Sequence, residues 1–103
     1  MNNIFKNIPS NLDSEAFNEI LSNDSLKIER IISKGQCSPE HGWYQQTQNE
    51  WLILLQGAAT LTFDDNRELH LKPGDYLNIP AKQRHKVSWT APDIETIWLT
   101  VHY

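Results

Sequence analysis

A carboxylate and an imidazole belong to two short stretches whose spacing suits a single site. Glu50 heads the segment Glu-Trp-Leu-Ile-Leu-Leu-Gln-Gly, with six residues between it and Gly57. His85 closes the second stretch, in which five residues separate Gly74 from Pro80 and four separate Pro80 from the histidine. Strand alternation decides which way such residues point. If Glu50 faces inward, so do Leu52 and Leu54, and a bare carboxylate among leucines is costly without a cation or hydrogen-bond donors. His85 shares its expected face with Val87 and Trp89. A carboxylate and an imidazole in one apolar interior make half of a divalent-metal site. They equally make an internal hydrogen-bonded pair.

Together the two stretches resemble the paired signatures of the cupins: Glu, six residues, Gly, and then Gly, five residues, Pro, four residues, His. The resemblance runs from Pro39 to Trp89. It implies an all-β fold, a cupin-type antiparallel β-barrel (jelly roll), with Glu50 and His85 pointing inward to help hold a divalent ion such as zinc, manganese, iron or nickel. The first cupin motif usually carries His-x-His three or four residues before its Glu, and here those positions are Tyr44 and Gln46 or Trp43 and Gln45. Lys82 stands where glycine is usual, and Trp89 where asparagine is usual. With the histidine pair missing, the expected metal ligands are Glu50, His85 and the neutral amide oxygen of Gln46, with His102 in reserve.

Cupin barrels host dioxygenases, isomerases, sugar binders and storage proteins, so the fold leaves enzyme or binder open. One reading is a metal-dependent dioxygenase or isomerase acting on a small polar or anionic molecule. The alternative is a non-catalytic module that binds or senses a small molecule without metal. No catalytic residue is assigned. In a cupin the loop after Pro80 approaches the barrel mouth, so Lys82 and Arg84 could attract an anionic group. Arg84, Trp89 and Tyr44 are the expected substrate contacts. His41 and His70 are expected in solvent, and the tryptophans are core fillers before they are pocket walls.

Composition excludes several partners. The chain has 103 residues, enough for one domain with a modest core. Its 13 Asp and Glu against 9 Lys and Arg argue against a nucleic-acid or anionic-membrane surface. Cys37 is the single cysteine, which precludes an intrachain disulfide and suits a reducing compartment. The longest apolar run, Trp51 to Leu55, is five residues, far short of a membrane span. No signal-peptide core follows the first methionine, so a cytoplasmic protein is expected.

Positioning the site falls to a run of strands. Residues 1–25 read as an N-terminal arm and a short helix packing on the barrel, and residues 26–103 as the cupin barrel itself. In the first part, Ala16, Phe17, Ile20 and Leu21 fall at helical spacing, Asp13 suits an N-cap, and Ser22 to Ser25 stop the helix. Beyond it, strand signals recur at short intervals: Leu26–Ile32, Trp43–Gln48, Glu50–Gln56, Ala58–Phe63, Arg67–Leu71, Asp75–Ile79, Arg84–Thr90 and Ile94–His102. Trp51, Ile53 and Leu55 give the Glu50 strand a second apolar face, which the N-terminal segment or a second copy must cover. A homodimer is expected on that ground.

Overall fold

A computed structural model describes all residues, 1–103, and contains eight β-strands and no helix. The strands are β1 (Ala16–Ser22), β2 (Lys27–Ser33), β3 (Glu50–Gln56), β4 (Ala59–Phe63), β5 (Glu68–Leu71), β6 (Tyr76–Ile79), β7 (His85–Thr90) and β8 (Thr96–His102). They form two sheets, one of five strands in the order β1-β2-β8-β3-β6 and one of three in the order β5-β4-β7. Every pairing is antiparallel. The expected all-β jelly roll is therefore what the chain forms.

The expected N-terminal helix is corrected to strand β1. Phe17 pairs with Ile31 and Asn18 with Arg30 along the edge of the larger sheet. The segment read as a helix stop is the turn of a hairpin: Asn23 N–H donates to the Leu26 carbonyl at 2.9 Å, and Ser25 N–H to Asn23 Oδ1 at 2.9 Å. Asn and Ser side chains reverse a strand by the same local bonds that end a helix, so the turn chemistry fits both readings. An open sheet edge decides the matter, because it offers the backbone of residues 16–22 a full ladder of partners. Asp13 caps nothing; its own N–H donates to Asn11 Oδ1 at 2.9 Å. The Arg30 guanidinium fastens the preceding arm, donating to the carbonyls of Ile4, Lys6 and Asn7 at 3.0, 2.6 and 3.2 Å.

The expected strand at Trp43–Gln48 is also absent. Residues 34–49 run as an irregular segment tied to β7 by isolated bridges, Ser38 with Val87 and Tyr44 with His85. The other strands fall within a residue or two of their expected places. Between the sheets, Leu52, Leu54, Leu61, Phe63, Ile79 and Trp98 are buried in one cluster. Each large apolar side chain so buried stabilises by about 1.5–3 kcal/mol. Of the four tryptophans, Trp98 alone is core; Trp89 is exposed.

Candidate functional site

Glu50 opens β3 in the larger sheet, and His85 opens β7 in the smaller one. Burial alternates along β3 as expected, with Glu50, Leu52 and Leu54 inside. The two side chains meet across the gap between the sheets, His85 Nε2 lying 3.3 Å from Glu50 Oε1, with side-chain exposures of 5% and 10%. His85 Nδ1 lies 2.9 Å from the Gln83 carbonyl, which can only accept, so this nitrogen carries a proton. Nε2 is then the nitrogen turned to the carboxylate. Burial lowers the His85 pKa, but the adjoining Glu50 carboxylate and the Gln83 carbonyl outweigh it and carry the value above its ordinary level. The contact with Glu50 thus favours the protonated form of the ring.

These two residues line an inner cavity of about 90 Å³. Gln46, Tyr44, Glu29 and His102 line it as well, with Leu52, Leu61 and Trp98 as apolar wall. The Gln46 amide oxygen is buried and has no hydrogen-bond partner. His102 pairs across the sheet with Glu50, and its Nε2 lies 4.0 Å from Glu29 Oε1. A second carboxylate–imidazole couple thus stands beside the first. The Tyr44 hydroxyl is bonded to Ser38 Oγ. Burial raises its pKa, the Ser38 bond opposes this, and the carboxylates of Glu15, Glu50 and Glu29 reinforce it, so the phenol stays protonated.

Residues 30–102 match a family model described as the cupin domain. The chain is a cupin. Over 99% of its length and 95% of the other chain, it superposes with a TM-score of 0.92 and 41% identity on a protein of Ralstonia eutropha JMP134 described as a candidate mannose-6-phosphate isomerase. A cupin superfamily protein of Desulfitobacterium hafniense DCB-2 follows at TM-score 0.76 and 20% identity, over 92% of this chain and 82% of that one. The polyketide cyclase RemF of Streptomyces resistomycificus superposes with a TM-score of 0.73 at 16% identity, over 87% of this chain and 65% of its own. At identities of this order the last two establish the fold alone. No curated protein matches the chain.

Of the residues singled out in the sequence, this cupin brings Glu50, His85, Gln46, Tyr44 and His102 to the cavity. It does not bring Arg84 or Trp89, neither of which is part of the lining. Arg84 is exposed, its guanidinium 6.0 Å from the Trp43 ring centroid, and Lys86 sits over the same ring at 4.4 Å. Trp89 is turned out by a β-bulge: Val87 pairs with Leu61 and Trp89 with the next residue, Thr60, so Ser88 is unpaired and the alternation flips. His41 and His70 are exposed. Lys82, at the usual cupin glycine, adopts a left-handed φ of 68°, which explains why glycine suits the position. Two lining carboxylates escaped the sequence reading, Glu29 and Glu15. The signal for Glu29 was its place beside Ile31 on one face of β2; Glu15 precedes the strand and carried none.

A separation of 3.3 Å between Glu50 Oε1 and His85 Nε2 suits two ligands each about 2.1 Å from one ion. A protein site needs a third strong ligand, however, and no group of three or more His, Cys, Asp or Glu is gathered to hold an ion. Gln46 adds only a neutral amide oxygen. The set falls one strong donor short of a resident metal site.

Proposed function

We propose that this cupin binds a small polar molecule in the inner cavity and moves a proton on it, as isomerases and cyclases of carbonyl compounds do. The observation that carries this reading is the buried Glu50–His85 pair at 3.3 Å with His85 Nδ1 fixed by the Gln83 carbonyl. Glu50 is placed to take a proton from a carbon beside a carbonyl while His85 Nε2 gives one to the carbonyl oxygen, leaving an enol, a neutral imidazole and a protonated carboxyl. In a hydroxycarbonyl substrate the protonated Glu50 then gives its proton to the neighbouring carbon while neutral His85 Nε2 takes the proton of the other hydroxyl, which completes the isomerisation and restores the starting pair with atoms and charge balanced.

The similarity to the Ralstonia protein supports an isomerase class but not its phosphorylated sugar. The cavity lining carries Glu15, Glu29 and Glu50 and no lysine or arginine, a poor setting for a phosphate. Deuterium uptake from D₂O by a panel of small hydroxycarbonyl and dicarbonyl compounds, followed by NMR, tests the reading. Uptake should fall by about 10²–10⁴-fold in both Glu50→Gln and His85→Gln. Uptake that survives both substitutions, or none with any compound, would leave the non-catalytic binding module as the better account; the self-contained ion pair is what favours that second reading.

A further inference from the structure

Beyond the two carboxylate–imidazole couples, the charged side chains of the cavity and its approach are all acidic. The inner cavity opens toward a second, outer cleft of about 560 Å³, and the two share Glu15, Phe17, Ser38 and Tyr44. The outer cleft adds Asp13 and Glu40. Five carboxylates, Glu50 among them, therefore line the two cavities, and neither contains a lysine or arginine. Lys27 Nζ lies 3.8 Å from Glu29 Oε2 but is not part of the lining. His85 faces Glu50 and His102 faces Glu29, which leaves Glu15, Asp13 and Glu40 with no basic partner.

Hydrogen-bonding capacity is lopsided in the same sense. The inner lining presents three carboxylates and the unpartnered Gln46 amide oxygen as acceptors. Of its donors, His85 Nδ1 is engaged with Gln83 and Thr100 Oγ1 with the Glu29 carbonyl at 3.4 Å, the Tyr44 and Ser38 hydroxyls share one bond, and the His102 ring nitrogen lies 4.0 Å from Glu29. A buried acceptor without a donor is costly, and a ligand N–H would recover that cost. Phe17, Tyr44 and Trp98 add aromatic surface, which favours an organic cation. The metal donor set is incomplete, so the cation must bring its own hydrogens.

The geometry points to a small primary ammonium compound as the ligand of this cavity, its –NH₃⁺ group directed at Glu29, Glu50 and Gln46 and its remainder toward the Tyr44–Phe17 neck. This rests on the inner cavity being the ligand site of the proposed function and names the ligand class. Acidic walls with low-dielectric surroundings would also draw such a cation inward. Three probes of equal chain length separate the possibilities: propylammonium, propionate and propanol, each titrated into the protein by calorimetry and by NMR of the Gln46 side-chain amide. Propylammonium should bind about tenfold more tightly than either other probe and shift the Gln46 signal. Glu29→Gln and the mouth variant Glu15→Gln, each confirmed folded by thermal unfolding, should both weaken it at least about threefold.

Propionate or propanol binding as tightly, or no probe binding at all, would overturn the inference. Zinc chloride expelling propylammonium at submicromolar concentration would overturn it too, by assigning the preference to a metal ion. Deuterium uptake by a panel compound with no propylammonium binding would sink the ligand class and leave the proton-transfer reading intact. Propylammonium binding with no uptake would uphold the ligand class and remove the catalysis.

Discussion

Burial alone would keep His85 neutral, since an imidazolium loses its hydration between the sheets. The Glu50 carboxylate at 3.3 Å and the Gln83 carbonyl reverse that preference and raise the pKa. Folding then favours the protonated ring, so the stabilisation is complete below the unfolded value of about 6.5 and is lost as pH rises through the raised folded value. Glu50→Gln removes the charge and keeps the shape, leaving desolvation dominant. In that variant the His85 ring should titrate below about 6.5 by NMR, and stability should instead decline as pH falls through that window. An unchanged titration would mean that the pair does not form. Glu50 and His85 were legible in the sequence because motif spacing and period-two alternation agree on their direction, whereas Gln46 was legible from its motif position alone, since residues 34–49 form no strand. Trp89 was misplaced because the bulge at Ser88 adds one residue to β7 without any Gly or Pro to mark it. Glu15 is brought in by the way the chain enters β1, which no local pattern records.

Turns hold the strands that hold the pair, and two glycines separate the demands a turn can make. Gly57 follows β3 with φ of 88°, and a Cβ there would fall 2.3 Å from Thr96 Oγ1 and 2.7 Å from Thr96 Cα. Gly74 has φ of 95° but open space around the same position. Gly74→Ala should therefore cost only the left-handed backbone, about 1–2 kcal/mol. Gly57→Ala adds a clash with backbone that cannot rotate away and should cost about 1–3 kcal/mol more. Denaturant unfolding of the two variants side by side reads the difference; equal losses would mean that β8 yields at Thr96. The glycine of the first signature is thus explained by packing of one strand start against another. Strands β2 to β8 were legible because alternation and turn residues coincide, whereas β1 was not. Its apolar positions fit both periods, and the edge that recruits it exists only after the sheet has formed.

At the scale of the whole molecule, the outer face of the larger sheet carries half-buried apolar residues beyond the part that the N-terminal arm reaches at Arg30. Register aligns Ile28, Val101 and Trp51 in one row and Leu99, Ile53 and Tyr76 in the next. The Trp51 and Tyr76 rings pack together at 5.8 Å between centroids, yet Tyr76 is 67% exposed. No helix blankets this face, since residues 16–22 extend the sheet at its edge. We propose that a second copy covers it. Sedimentation should show a dimer, and Ile53→Glu should give a folded monomer; a monomeric parent at high concentration would count against the pairing.

The place of β8 in that sheet bears on how the protein is made. It is the last strand in chain order, yet it lies between β2 and β3 and supplies both with a partner. While a ribosome is still adding residues before Thr96, the β1–β2 hairpin and the β3–β6 pair have no common neighbour, and Glu50 lacks the strand that carries His102. The nascent chain therefore cannot finish the sheet piecemeal from its beginning. The two halves of the larger sheet are joined only once residues 96–102 are in place, so the contacts that unite them are all long-range in sequence.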